Sequence, residues 1–179
     1  TEALPIGNGS LGAMIFGKTC HELIPLNCDT LWSGYPRNLN PKEKRGVFLS
    51  AMELSKHGKY HEAQELIEND LTSGWGQSYM PMGDLILAFN QEGNAGKYIR
   101  ELDLKTAVAS VEYEMGEALF KREVFASAPD HVIVVKMTAE KPAGIHFRLG
   151  FGCQLKSTVS VLDNRVILTG EAPSYVEPS

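Results

Sequence analysis

Ala107-Val108-Ala109-Ser110-Val111-Glu112-Tyr113-Glu114-Met115 carries the pattern that decides the fold. Ala107, Ala109, Val111, Tyr113 and Met115 fall on one side, with Val108, Ser110, Glu112 and Glu114 on the other, the period of two expected of a half-buried strand. Gly116 turns the chain into a second strand over Leu119 to Ala126. Val132 to Met137 is nearly continuous apolar and predicts a central strand covered on both faces. Ile145, Phe147, Leu149 and Phe151 alternate again. Leu155 to Leu162 and Val166 to Thr169 flank Asp163-Asn164, a pair suited to a two-residue hairpin turn.

Toward the N-terminus, Leu11 to Phe16 and Glu22 to Leu26 are two short apolar segments separated by Gly17 to His21, which predicts a hairpin. Asn27 to Pro41 is a long turn-rich loop. Between Lys42 and Leu71 the period changes: Val47, Ala51 and Leu54, then Tyr60, Ala63, Ile67 and Leu71, recur at helical spacing. Gly58 is placed to end the first helix. Many short strands with one interleaved helical segment predict a mainly β chain, an antiparallel two-sheet β-sandwich with an inserted helical hairpin at about 42–71.

A length of 179 residues suits one sizeable domain. With 17 Lys and Arg against 22 Asp and Glu, and Lys42, Lys44 and Arg45 the only basic run, the charge argues against a nucleic-acid partner. No apolar run reaches the roughly 20 residues that span a bilayer. Cys20, Cys28 and Cys153 form no CxxC pair, so no disulfide framework is expected. The chain opens without an initiator Met and with no secretory signal, and its last residues, Pro173 to Ser179, are proline-rich and polar. Both ends therefore suggest a piece of a longer protein.

Gly7-Asn8-Gly9-Ser10-Leu11-Gly12 satisfies G-x-G-x-x-G, with Asp29 about 20 residues downstream. A dinucleotide site needs a preceding strand and a following helix, so that the pyrophosphate meets a helix N-terminus. Here the residues after the glycines are strand-like, and the glycines are expected to make a tight turn. His57 and His61 have the i, i+4 spacing of a metal pair, but Gly58 between them breaks the helix, leaving two surface histidines. No metal or cofactor is implied. For acid and base chemistry on sugars, Asp29, Asp84 and Glu22 are candidates, and no pair stands out.

Asn27-Cys28-Asp29-Thr30-Leu31-Trp32-Ser33-Gly34 holds the most information. Asn27, Asp29 and Trp32 are candidate contributors to a substrate pocket or a domain interface, with Trp32 a stacking platform for a sugar ring or a docking residue for a neighbouring domain. Gly74-Trp75-Gly76-Gln77-Ser78-Tyr79 adds Trp75 and Tyr79 as further aromatic candidates in a loop with little to pack them.

Glu2 to Gly17, Leu26 to Gly34 and Pro81-Met82-Gly83-Asp84-Leu85, followed by Arg100-Glu101-Leu102-Asp103-Leu104 and Arg122-Glu123-Val124-Phe125-Ala126-Ser127, together resemble the N-terminal domain of family 95 glycoside hydrolases, the inverting α-L-fucosidases. The resemblance spans nearly the whole chain in order. It implies a large β-sandwich of the super-sandwich type, supporting a separate catalytic α/α toroid in the same parent chain, whose substrate is a fucosylated glycan. The family's general acid and water-activating residues belong to the toroid, so no catalytic residue is carried onto any position here. The family domain extends past Ser179, which implies a truncated sandwich. Exported bacterial members imply a periplasmic or extracellular location. Two departures are Cys28, where family members usually carry a glutamate, and Ser10, where an arginine is common. Independent carbohydrate binding through Trp32, Trp75 or Tyr79, or membership of a related α-galactosidase-type enzyme, are the alternatives.

Overall fold

The computed structural model describes residues 2–35, 44–71, 77–90, 93–140 and 144–176. The chain divides into two compact units, Thr1–Trp32 with Tyr79–Pro173, and Ser33–Ser78 with Ser174–Ser179.

The first unit is the sandwich. A five-stranded antiparallel sheet runs in the order β1-β2-β3-β4-β9, from β1 (Leu4–Gly7), β2 (Leu11–Ile15), β3 (His21–Cys28), β4 (Gly83–Phe89) and β9 (Phe147–Gly152). A four-stranded antiparallel sheet runs β5-β6-β7-β8, from β5 (Gly96–Asp103), β6 (Val108–Met115), β7 (Ala118–Ser127) and β8 (Val132–Ala139). A separate ribbon pairs β10 (Lys156–Leu162) with β11 (Arg165–Glu171) around the two-residue turn at Asp163 and Asn164. Alternation decides which side chains enter the core. Ala109, Val111, Tyr113 and Met115 from β6 and Val124 from β7 meet Ile6, Ala13, Ile15, Ile24, Leu87 and Phe89 of the opposing sheet in one cluster. Full burial of side chains such as Ile15, Ile24 and Leu87 stabilises the fold by about 1.5–3 kcal/mol each.

Two expectations are corrected. Ala107 does not belong to the inward stripe of β6: it is exposed in the preceding turn with a φ of 56°, a left-handed conformation that ends the strand's pairing before its side chain can face the core. Val132 to Met137 is no central strand. It lies in β8 at the edge of the four-stranded sheet, with Ile133, Val134, Val135 and Met137 half-buried, Val132 exposed, and Lys136 exposed and paired to Glu123. Aliphatic β-branched residues there meet the pleated surface of β7 on one side only, so the run of valines reflects strand preference and not double coverage.

The second unit holds the inserted hairpin, α1 (Arg45–Lys56) and α2 (Tyr60–Leu66), the latter continuing into a π-helical stretch at Ile67–Leu71. Ala51 and Ala63 are its buried positions. Gly58 ends α1 as expected, with a φ of 75° and the Lys59 amide reaching back to the Leu54 carbonyl at 3.0 Å. Tyr60 departs from the predicted apolar stripe. It stands at the first position of α2, 72% exposed. Lys42 and Glu43, at the predicted start of this segment, lie outside the described residues.

The most constrained spot in the sandwich is the β2–β3 turn. Glu22 on β3 and Arg122 on β7 are both buried, and the Arg122 Nη2 donates to Glu22 Oε2 at 3.1 Å and to the Lys18 carbonyl at 3.0 Å. Glu22 Oε1 accepts the Phe16 and Gly17 amides at 2.9 Å each. Tyr98 Oη donates to the Gly17 carbonyl at 2.8 Å, and Arg100 Nη1 donates to the Phe16 carbonyl. Burial raises the Tyr98 phenol above its ordinary value, which keeps that donor protonated. A Cβ at Gly17 would sit 2.6 Å from Arg100 Cδ and Tyr98 Oη at a φ of 77°, so another residue there would be strained and would have to displace both side chains.

Removing one member of a buried pair leaves an uncompensated charge and costs about 3–5 kcal/mol. Arg122→Met is therefore expected to lower stability by about that amount in urea unfolding, and Arg122→Met combined with Glu22→Gln to recover part of the loss. Equal losses for the single and double variants would count against the pair as the cause.

Candidate functional site

The turn after β1 is closed by one side chain. Asn8 Oδ1 accepts the Ser10 amide at 3.0 Å and the Leu11 amide at 2.7 Å, while Asn8 Nδ2 donates to the Ser127 carbonyl of β7 at 2.8 Å. Gly9 takes a φ of 92°, which a side chain would resist. A strand does precede the glycines, but β2 comes after them antiparallel, with Gly7 opposite Gly12. There is no helix N-terminus for a pyrophosphate, and the glycines serve a hairpin.

That hairpin holds the end of β3. The Asp29 amide donates to the Ser10 carbonyl at 2.9 Å, and Ser10 Oγ donates to Asp29 Oδ1 at 3.2 Å. Asn27 is exposed two residues before Asp29, opposite Gly12 in the β2–β3 register. Cys28 is half-buried, its Sγ 3.3 Å from Thr30 Oγ1. The Leu31 amide returns to the Cys28 carbonyl at 3.1 Å, making a tight turn that delivers Trp32.

Trp32 Nε1 donates to the Asp29 carbonyl at 2.8 Å, and Trp32 forms an isolated antiparallel bridge with Tyr79. The two rings lie edge to face, centroids 5.3 Å apart at 73°. Trp32 is 49% and Tyr79 42% exposed, so the pair presents aromatic surface to solvent instead of lying buried on the sandwich. The structure thus joins Asp29, Trp32 and Tyr79 through direct contacts, with Asn27 on the same strand end. Trp75 lies outside the described residues. An exposed aromatic pair flanked by an amide and a carboxylate suits a sugar ring, which offers C–H faces for stacking and hydroxyls for hydrogen bonds, and suits equally a neighbouring protein surface.

Of the three carboxylates considered for acid and base chemistry, Glu22 is committed to Arg122 and two backbone amides. Asp29 is exposed in the loop, and Asp84 is half-buried on β4, opposite Pro25 and Gly152. His57 caps the end of α1 and His61 lies in α2, their side chains 73% and 85% exposed, and each faces a glutamate of its own helix. No group of three or more metal-ligating side chains occurs among the described residues. No described helix is long and apolar enough to cross a membrane.

The residues missed in the sequence are the ones that grip the β2–β3 turn: Arg122, Arg100 and Tyr98. Arg122 had a legible signal. It occupies an inward position of β7, in step with Ala118 and Val124, where a charge demands a partner.

Over residues 1–178 the chain matches the family model described as Glycosyl hydrolase family 65, N-terminal domain. Alpha-L-fucosidase 2 of Arabidopsis thaliana is 36% identical over 176 residues, covering 95% of this chain and 21% of its own length. Probable alpha-fucosidase A of Aspergillus niger is 31% identical over 183 residues, covering 96% of this chain and 22% of its own. The protein of the same name from Aspergillus oryzae is 32% identical over 146 residues. The chain spans about a fifth of the length of the curated relatives it matches.

Asn8 carries the loop geometry, so Asn8→Ala should expose two amides and one carbonyl at a cost of about 1–3 kcal/mol. Amide exchange at Ser10, Leu11 and Asp29 should accelerate ahead of the core strands. Unchanged exchange at those three positions would show that the turn does not depend on this side chain.

Proposed function

Because the chain belongs to the family of glycosyl hydrolase family 65 N-terminal domains, as the resemblance to the N-terminal sandwich of family 95 α-L-fucosidases led one to expect, we propose that it is the non-catalytic front sandwich of an enzyme that removes terminal α-L-fucose from glycans. The observation that carries this reading is the alignment of nearly the whole chain with about a fifth of several α-fucosidases. The general acid and the water-activating residue then belong to a separate catalytic domain of the parent polypeptide, an α/α toroid working with inversion. The fixed role of Glu22 supports the assignment, since a carboxylate locked against a buried guanidinium cannot cycle a proton to a substrate.

In this reading the sandwich holds the catalytic domain and lends its Asn27, Asp29, Trp32 and Tyr79 edge to the mouth of the pocket or to the contact between domains. Export to an extracellular or periplasmic place is part of the proposal and rests on the family resemblance. The relatives named above are from a plant and fungi, and bacterial origin is not part of it. A second reading, independent carbohydrate binding, is favoured by one observation, the solvent-facing Trp32–Tyr79 pair.

The isolated chain is expected to show no hydrolysis of 4-nitrophenyl α-L-fucoside, while the full-length parent turns it over and leaves the corresponding α-galactoside much slower. Trp32→Ala in the parent should raise KM or lower kcat/KM severalfold, with an unchanged unfolding midpoint. Hydrolysis by the isolated chain that survives repurification overturns the non-catalytic assignment. Heat on titration of the isolated chain with fucosylated oligosaccharides would favour the second reading.

A further inference from the structure

The β1–β2 turn asks for two residues that can react with each other. Position 8 must accept two backbone amides, those of Ser10 at 3.0 Å and Leu11 at 2.7 Å, and donate to the Ser127 carbonyl at 2.8 Å. A primary amide on a short stem supplies both functions, whereas a carboxylate has no proton to give. Position 9 must hold a φ of 92°, which favours glycine. The result is Asn8-Gly9, the one Asn-Gly step in the sequence. A glycine in that place leaves its peptide nitrogen unshielded, within reach of the side-chain amide carbon of the asparagine before it. Asn8 is half-buried and Gly9 exposed, and a Cβ added at Gly9 would meet nothing within 4 Å, so open space lies beside the step.

We propose that Asn8 is a site of spontaneous modification, converted with age to aspartate and isoaspartate, and that its own hydrogen bonds set the rate. The Gly9 nitrogen attacks Asn8 Cγ and closes a succinimide ring, while the side-chain nitrogen takes up the Gly9 amide proton and leaves as ammonia. Water then opens the ring. Cleavage at the side-chain carbonyl gives aspartate, and cleavage at the main-chain carbonyl gives isoaspartate, whose backbone runs on through the β-carbon. Nothing is oxidised or reduced, and water is the sole co-reactant. Ring closure requires the carboxamide to turn away from partners that hold it on two sides, so in the fold it proceeds while the turn is open. Both products injure the same tie. Aspartate keeps the Ser10 and Leu11 amides but sets an anionic acceptor against the Ser127 carbonyl. Isoaspartate adds a methylene to the backbone between Gly7 and Gly12, which face each other across the β1–β2 ladder. The Asp29 amide, bound to the Ser10 carbonyl at 2.9 Å, is the next contact to loosen, and the Asp29 carbonyl is the one that holds Trp32 Nε1.

The test incubates the full-length parent in warm, mildly alkaline buffer, beside the same protein unfolded in guanidinium and beside Asn8→Gln. The peptide holding residues 8 and 9 is followed by mass spectrometry, and isoaspartate in it by methylation with an isoaspartyl methyltransferase. Conversion of Asn8 is expected in the folded parent ahead of every other asparagine, yet roughly tenfold or more slower than in guanidinium, where the turn offers no restraint. Asn8→Gln should show no isoaspartate in that peptide, since glutamine must close a larger and less favourable ring. Converted protein, separated by its added negative charge, should exchange its Ser10, Leu11 and Asp29 amides faster than the parent while the core strands keep their protection. A folded parent left unconverted once the unfolded sample is complete overturns the proposal, as do equal rates in the two states. Isoaspartate that persists in Asn8→Gln, or unchanged exchange in the converted protein, overturns it too. None of these readouts needs a substrate, so they stand apart from the proposed reaction.

Discussion

The Glu22–Arg122 pair joins the two sheets at the point where the chain turns from β2 into β3. Its cost is large, since both charges leave water, and attraction across 3.1 Å offsets part of it while Arg122 Nε stays buried without a hydrogen-bond partner. The carboxylate takes two amides, the guanidinium takes a carbonyl, and its cationic centre lies 5.5 Å over the Phe89 ring. A hydrophobic pair of the same volume would serve stability about as well, but it would not specify one orientation. The ionic pair ties the two sheets at one place, and the turn it grips holds Gly17 at a φ of 77°, which other residues resist.

With β3 held at its start by Glu22, its far end emerges beside the β1–β2 turn, where Asn8 reaches across to the Ser127 carbonyl of the second sheet. Two ties between the sheets, one at each end of β2, keep the exposed loop from wandering. The loop itself is held by backbone and hydroxyl contacts between Ser10 and Asp29, which leaves the aromatic surface of Trp32 and Tyr79 free for a partner. A rigid scaffold carrying a polar and aromatic edge suits the supporting role proposed for this domain.

The architecture was legible in the sequence wherever alternation was strict. β6 could be placed because period-two burial leaves a direct trace in residue order, β7 and the β10–β11 hairpin because Gly116 and Asp163-Asn164 mark the turns, and the helical hairpin because its period changes. Val132 to Met137 misled because an edge strand and a central strand share the same residue preferences, and only the neighbours distinguish them. Ala107 misled because alanine fits either parity and carries no sign of its left-handed backbone. The candidate loop was picked out by composition, but not the contact of Trp32 with Tyr79, which are far apart in the chain and meet through a bridge that no local pattern encodes. The Glu22–Arg122 pair was half visible. Each charge sits at an inward position, yet only the fold brings them together.

The Trp32–Tyr79 bridge is also where the chain departs from the sandwich and returns to it. Just beyond it, the Ser33 amide donates to the Ser78 carbonyl at 2.9 Å, so the two ends of the excursion are paired before any helix begins. An insertion whose ends are already clasped adds only a slowly growing, logarithmic closure cost as it lengthens. The segment between is therefore a cassette. Evolution can lengthen, shorten or exchange it, and so alter what it carries, while the strands on either side keep their pairing.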